Sequence, residues 1–469
     1  MKKTGAILFV AVFLLMALFP FVGMLMFGPA QPAAKEYLAL PPELTDQDGV
    51  FNLDFLNDAA DYLRDRFWLR QEMITADAVV EAAVFGESAS EKVILGQDGW
   101  LFYAETLDSY QGQNPLSDRQ LWAAAHTLRM IRDYAMGQGA ETWFIPVPNK
   151  NSIYGEYMPK SASPAPGSKN YDRLLEELGN EGVAVVDLME PLLDHKKEVQ
   201  LYQRLDSHWN NLGAALANDV ILDAIRHTAN LTGSEKLEQI GIAKRAFVPT
   251  DFQAIQDHKA DLYTMLYPAG RELDLQYYPL REPCYTYVRP VRSTEDLRIN
   301  TTCETGTGSL LMFRDSFGNT LHSFLAEDFA EACFSRLMPY DLRMLESTQA
   351  DVLLIEITER HLEWLAQRAP IMPAPIRDKK LLDARAADEI RLNAAEESGF
   401  FRVDGVLPMD PDRTSPVWIE ADGVVYEASP VGETERSFTV YLPQSVQTIR
   451  ICFLSGDVLY ASSTQLETM

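Results

Sequence analysis

The chain has 469 residues with 41 basic and 68 acidic side chains, a net charge of −27, and 47% of its residues are hydrophobic. That length holds two or three domains and that apolar content can bury a sizeable core, so a collagen, a coiled-coil rod and a globally disordered chain are excluded. A field this negative leaves no bulk electrostatic footprint for nucleic acid, and 4 cysteines are too few for a disulfide framework.

Taken in chain order, the first feature is a short positive start, Met1-Lys2-Lys3, followed by the almost wholly apolar stretch Gly5 to Phe27. About 23 residues make a helix of roughly 34 Å, enough to cross a hydrocarbon core of about 30 Å. A cleavable signal has a shorter apolar core, of about 7–15 residues. An uncleaved anchor is therefore expected, rather than a signal cut after Ala30 or Ala34. Lys2 and Lys3 would stay inside and the chain after Gly28 outside. Pro20 kinks such a helix without forbidding it.

Gln31 to Pro42 reads as a linker, and Leu53 to Val84 as an amphipathic helix, with Phe55, Ala59, Leu63, Phe67 and Leu69 apolar among Asp and Arg. Gly96 to Tyr103 is a turn feeding an aromatic strand. Ser117 caps a predicted helix that Gly137 and Gly139 stop. Thr142–Val147, Val183–Leu188, Leu310–Phe313 and Val352–Ile357 read as strands. They alternate with helices at Tyr171–Leu178, Leu212–Ile225 and Thr320–Phe329, the pattern of a parallel α/β sheet. Pro249 to Thr302 interrupts that pattern and reads as a loop-rich insertion. Short strand-like runs at Val417–Glu420, Val424–Ala428, Ser437–Leu442 and Thr448–Leu454 predict a small all-β module. The expected division is 1–28 as anchor, 29–90 as linker and membrane-proximal helix, 91–395 as the α/β domain with its insertion at about 249–302, and 396–469 as the β module. Cys284 and Cys303 both fall outside, either bridged or as free thiols.

Two blocks are suited to chemistry. In Leu205-Asp206-Ser207-His208-Trp209-Asn210, a carboxylate two residues from a histidine can hold one ring nitrogen and leave the other as a base. In Arg314-Asp315-Ser316-Phe317-Gly318-Asn319, a serine stands at a strand-to-helix turn, where the helix N-terminus offers N–H groups to an oxyanion. The same residue types also serve as helix caps, and a metal site of Asp206, His208 and Asp315 is a further reading. His126, His195, His227, His258, His322 and His361 read as surface or satisfied core residues.

The order of blocks adds to this. Gly99-Trp100-Leu101-Phe102-Tyr103 is followed by Pro148-Asn149-Lys150 and Tyr154-Gly155-Glu156-Tyr157-Met158-Pro159. Tyr202, Asp206 to Asn210, Gly213-Ala214, Arg314 to Gly318 and Glu356-Ile357-Thr358-Glu359-Arg360 come next. From about Leu53 to Leu365 this resembles the DHHW family and the related AlgX/AlgJ group of SGNH-hydrolase-like proteins. Those proteins are extracytoplasmic and linked to O-acetylation of exopolysaccharides. The resemblance implies an SGNH-hydrolase-like parallel sheet flanked by helices, preceded by the transmembrane helix and followed by the β module. It implies Ser316 as nucleophile, His208 as base and Asp206 as its orienter, with no metal or cofactor. It further implies a polysaccharide acceptor and a multispanning membrane O-acyltransferase as acetyl donor. Ser207 replaces the family's second histidine, and Arg314 stands where many relatives have glycine. Asn149 and Arg314 are the oxyanion candidates, and Lys150 and Tyr154 would line a glycan cleft. Trp100, Phe102 and Trp209 are expected to pack in the core. Glu356, Glu359 and Arg360 would pair at the rim or touch substrate. A carbohydrate acetylesterase with the same triad, and a non-catalytic glycan-binding scaffold, are the alternative functions.

Overall fold

The computed structural model describes residues 2–32, 36–45, 49–164, 166–240, 247–446 and 448–465. Lys2–Phe27 is one helix through Pro20, and its Gly5–Phe27 part has a mean hydropathy of 2.7 with almost none of it buried. It is long and apolar enough to cross a membrane, which is compatible with a single-pass anchor. The amphipathic segment after it is broken. Phe55–Arg66 and Arg70–Val80 are separate helices, because Leu69 adopts a left-handed backbone with φ 64°. The break releases Trp68 to pack on Phe19 and Phe27, against Gly23 of the first helix.

The α/β region carries strands β1 (Val93–Leu95), β2 (Leu101–Tyr103), β3 (Glu141–Val147), β4 (Phe252–His258), β5 (Asp274–Pro279), β6 (Tyr285–Tyr287), β7 (Arg298–Cys303), β8 (Ser309–Phe313), β9 (Glu331–Ser335) and β10 (Val352–Thr358). Six of them form one sheet in the order β3-β10-β8-β9-β7-β6. The first four are mutually parallel, whereas β7 and β6 are antiparallel additions at the far edge. β10 is apolar except at Glu356 and Thr358 and is buried throughout, as a central parallel strand covered on both faces must be. Helices lie over it. Asp118–Gly137 starts with a capping box between Ser117 and Gln120, and Asn211–Thr232 starts under an Asn210 cap.

Two expectations change here. Val183–Leu188 is not a strand. Only Val185 bridges Phe144, because the chain passes the sheet edge once and turns into the helix Met189–His195. The 249–302 stretch is more regular than expected, holding the hairpin β4–β5, the helix Asp261–Leu266, and β6 and β7, which extend the main sheet. The thiols of Cys284 and Cys303 are free and 3.0 Å apart, on β6's approach and the end of β7.

Beyond the α/β region two sheets face each other. One orders Arg385–Ala386, Val458–Gln465, Thr448–Ser455, Val417–Ala421 and Val424–Ala428, and the other orders Leu392–Glu397, Phe400–Val406 and Ser437–Leu442. Ile419, Ile451 and Phe453 from the first share one core with Val403, Phe438 and Val440 from the second, as in a sandwich. This region is tied to the Asp118–Gly137 helix. Arg119 Nη1 donates to the carbonyls of Asp412, Arg413 and Ser415. His126 is held between Glu181 at 3.1 Å and Glu427 at 2.7 Å. Burial would raise the Glu427 carboxyl, but the hydrogen bond and charge of His126, and then Arg377, pull it down to about 2.

A carboxylate depressed on folding stabilises the fold above its ordinary pKa, and that contribution disappears as pH falls toward the folded value. Glu427→Gln is therefore expected to lose on the order of 2–3 kcal/mol in urea denaturation above about pH 5. The difference from the native chain should close as the pH is lowered to about 2. A pH-independent difference would disprove the assignment.

Candidate functional site

The site is built from strand ends. β3, β10 and β8 run in register, so Val147, Thr358 and Phe313 finish at one edge of the sheet, the edge where parallel sheets carry their ligands. Asn149 follows β3, Arg360 follows β10 and Ser316 follows β8.

The turn after β8 is shaped by Asp315. Its Oδ1 accepts from Phe317 N at 2.8 Å, and its Oδ2 accepts from Thr358 N at 3.0 Å, from the Thr358 hydroxyl and from His361 Nδ1. Burial would raise this carboxyl, but His361, Arg360 and Thr358 hold it far below the ordinary range. Asp315 N in turn donates to Glu356 Oε2 at 2.9 Å. Burial and then the Asp315 charge push Glu356 well above the usual carboxylate range. Gly318 makes the tight turn possible, since a Cβ there would lie 2.6 Å from Arg314 Cβ. Asp315 thus faces the sheet, and Ser316 is left half-exposed at the rim.

The other half of the site is the segment Leu201–Asn210, which closes on itself. Tyr202 bridges Trp209, and Asn210 N donates to Leu201 O at 2.9 Å. Gly213 lets the following helix approach, because a Cβ there would sit 2.4 Å from Leu201 O. Beneath the segment lies Lys150, buried, its ammonium donating to the carbonyls of Leu101 at 2.6 Å, Arg204 at 2.9 Å and Asp206 at 2.9 Å. Burial brings its pKa down to about 7, against the pull of Asp206 and Asp274.

The two halves meet. His208 Nε2 is 2.8 Å from Ser316 Oγ, although 108 positions separate them, and His208 Nδ1 is 2.7 Å from Asp206 Oδ1. Trp209 Nε1 donates to Phe317 O at 3.1 Å, and the Phe317 ring packs on His208 and Trp209. Asp206 is buried, which alone would raise its pKa. Hydrogen bonds from His208 and His258 hold it well below the ordinary range.

Other expected positions are placed differently. Lys150 and Tyr154 do not face a cleft. Tyr154 is buried, stacked on Trp100 and accepting from Leu201 N at 2.9 Å. Both side chains are drawn under the loop because its inward carbonyls and N–H groups need partners. The Arg314 guanidinium is turned away to Asn319 and to the carbonyls of Thr294 and Asp296. Asn149 is buried at the sheet edge, with no hydrogen-bond partner for its side-chain Oδ1 or Nδ2 among the described residues. Glu359 accepts from Asn149 N and the Ser152 hydroxyl instead of pairing at the rim. Arg360 lies over the rings of Tyr103 and Phe317. Asp315 points away from Asp206, so no site of Asp206, His208 and Asp315 forms. The donor atoms of Asp206, His208 and Asp261 do lie within 4.8 Å of one another, but they are already engaged with each other and with Ser207. His258, read as a surface or core residue, instead touches Asp206 at 3.1 Å. Nothing in its local sequence separates it from the other histidines.

A parallel sheet with a serine at its carboxyl edge, joined to a histidine and a carboxylate from one short block, has the architecture of the SGNH-hydrolase-like class. Residues 93–283 match the family model described as the SGNH hydrolase-like domain of the acetyltransferase AlgX, a span that includes Asp206 and His208 and stops before Ser316. The chain is 25% identical over 189 residues to the probable alginate O-acetylase AlgJ of Pseudomonas putida, covering 40% of this chain and 48% of that one. Among solved structures it resembles the O-acetyltransferase domain of P. putida AlgJ, with a TM-score of 0.38 and 20% identity over 58% of this chain and 92% of that one. Bacillus cereus PatB1 gives a TM-score of 0.42 and 17% identity over 57% and 96%. The chain spans about half the length of the curated relatives it matches.

The role of Lys150 is open to direct test. Lys150→Met leaves the buried carbonyls of Leu101 and Asp206 without this donor, while Arg204 O keeps Leu101 N, and a buried group so orphaned costs about 1–3 kcal/mol. Urea denaturation is expected to show a loss of at least about 2 kcal/mol. A variant as stable as the native chain would show that the lysine does not hold the loop.

Proposed function

We propose that the protein is a membrane-anchored, extracytoplasmic O-acetyltransferase acting on a cell-surface or secreted polysaccharide through an acyl-enzyme. The observation that carries this reading is the continuous hydrogen-bonded chain Asp206–His208–Ser316 at the sheet edge. The match to an acetyltransferase family over 93–283 supports it.

In this reading His208 Nε2 takes the proton of Ser316 Oγ as the oxygen attacks the acetyl carbonyl. Asp206 accepts from Nδ1–H, which fixes the tautomer and stabilises the imidazolium. The proton passes from Nε2 to the departing donor group, leaving acetyl-Ser316. A sugar hydroxyl then gives its proton to His208 and attacks the ester carbonyl, and Ser316 is regenerated. The backbone N–H of Ser316, at the turn into the Gly318–Asp328 helix, is the first oxyanion donor. The unpartnered amide of Asn149 is the second. With the site outside the membrane, a cytosolic thioester cannot reach Ser316, so a multispanning membrane O-acyltransferase is the donor we infer. The chain's overall negative charge means that an anionic acceptor would need local contacts to override the field.

Ser316→Ala and His208→Ala should each lower hydrolysis of p-nitrophenyl acetate, and transfer to a glycan panel, by factors on the order of 10³ or more with the fold intact by circular dichroism. Asp206→Asn should lose less. Hydrolysis without transfer to any glycan would favour a carbohydrate acetylesterase. Wild-type activity in Ser316→Ala would end the acyl-enzyme reading and point to a metal- or water-based mechanism, whereas glycan binding by a native chain with neither hydrolysis nor transfer would favour a non-catalytic glycan-binding scaffold.

Full-length protein is expected in the membrane fraction, released by detergent and not by high salt. Recovery of most of it in the medium, with a new N-terminus near Gln31, would show cleavage in place of anchoring.

A further inference from the structure

We infer that His258 is a positioning residue of this site, a second imidazole that locks the Asp206 carboxylate so that its other oxygen faces His208. The inference rests on the Ser316–His208–Asp206 reading above and adds a residue to it.

A lone carboxylate can rotate about its last bond and exchange its oxygens, which would loosen the histidine it orients. Here each oxygen is assigned. Oδ1 accepts from His208 Nδ1 at 2.7 Å and from His208 N at 3.0 Å. Oδ2 accepts from His258 Nε2 at 3.1 Å and from Asp261 N at 2.7 Å. Four donors fill the two oxygens and fix the plane of the group.

His258 is the last residue of β4, and the pairing with β5 shifts register between Ile255 and His258, which re-aims the side chain. The hairpin and the short helix behind it contact every residue from Leu205 to Ser207. Asp274, opposite His258, accepts from Leu205 N at 2.5 Å. Asp261 accepts from Ser207 N at 2.8 Å and from Ser207 Oγ at 2.7 Å. The insertion thus braces the same loop that Lys150 holds.

The groups facing His258 are Asp206, Asp261 and Asp274. Burial would lower its pKa, but the hydrogen bond to Asp206 and then the charges of Asp206, Asp274 and Asp261 raise it, so a proton on Nε2 is favoured. Its side chain is 31% exposed, reachable by water yet tied to a buried carboxylate. His258 lies on Asp206's far oxygen from His208, so it acts through the carboxylate and not on the reacting atoms.

The test uses the full-length chain in detergent micelles, with p-nitrophenyl acetate as probe and Ser316→Ala run in parallel. His258→Phe removes the donor, whereas His258→Gln keeps an N–H near the position of Nε2. For His258→Phe, kcat should fall roughly 10- to 100-fold, the scale of a misoriented catalytic group, with KM unchanged. His258→Gln should recover most of that loss. The low-field proton resonance of the His208–Asp206 hydrogen bond should vanish in His258→Phe and persist in His258→Gln. Unchanged kcat or an unchanged resonance in His258→Phe would overturn the inference, as would a glutamine variant no better than phenylalanine. If Ser316→Ala is itself fully active, the fault lies with the acyl-enzyme reading, so the two failures are distinguishable.

Discussion

The ammonium of Lys150, buried beneath the Leu201–Asn210 segment, holds together parts of the chain that are distant in sequence. It joins the carbonyl of Leu101 on β2 to those of Arg204 and Asp206. That segment has no helix or ladder of its own, so its inward backbone groups need outside partners or would be buried unpaired. A lysine supplies three donors from one point, and the rings of Trp100 and Phe102 lie about it at 5.0 and 5.1 Å. Burial costs the charge, as its lowered pKa shows, and the three carbonyls together with Asp206 offset that cost. The loop that carries His208 rests on the resulting platform, and the β4–β5 hairpin and Phe317 complete its support.

The serine is held by a different device. Asp315 stands next to Ser316 in sequence but bonds to the sheet, to Thr358 and His361 at the end of β10, and caps its own turn through Phe317 N. Neighbouring carboxylates are thereby given separate work. Asp206 is satisfied by two histidines and Asp315 by the strand end, and Glu356, pushed up by burial, meets Asp315 through a backbone N–H. Such separation, with Glu356 pushed toward its neutral form by burial and the Asp315 charge, lets several acids share one edge.

The C-terminal sheets are coupled to this assembly through the Asp118–Gly137 helix, by Arg119 and by His126 between two glutamates. These contacts lie on the helix that covers the sheet.

Much of the α/β domain was legible in the sequence. Uninterrupted apolar runs such as Val352–Ile357 signal buried parallel strands, and Ser117 and Asn210 are cap residues whose local chemistry dictates helix starts. Asp206, His208 and Ser316 stand in blocks whose spacing and order carry their own meaning. Other features were decided by long-range contacts. Val183–Leu188 has strand composition but found only one bridge, and the 249–302 stretch gained strands by pairing with the edge of the sheet and with itself. Lys150 and Tyr154, candidates for lining a glycan cleft, are recruited inward by carbonyls and an N–H group from other segments. His258 could not be told from five other histidines by its neighbours in sequence, because its partner lies 52 positions away. Local sequence determines propensity, caps and the face each element buries. Which polar atoms meet depends on register and packing between segments far apart in the chain, and only the tertiary structure decides those.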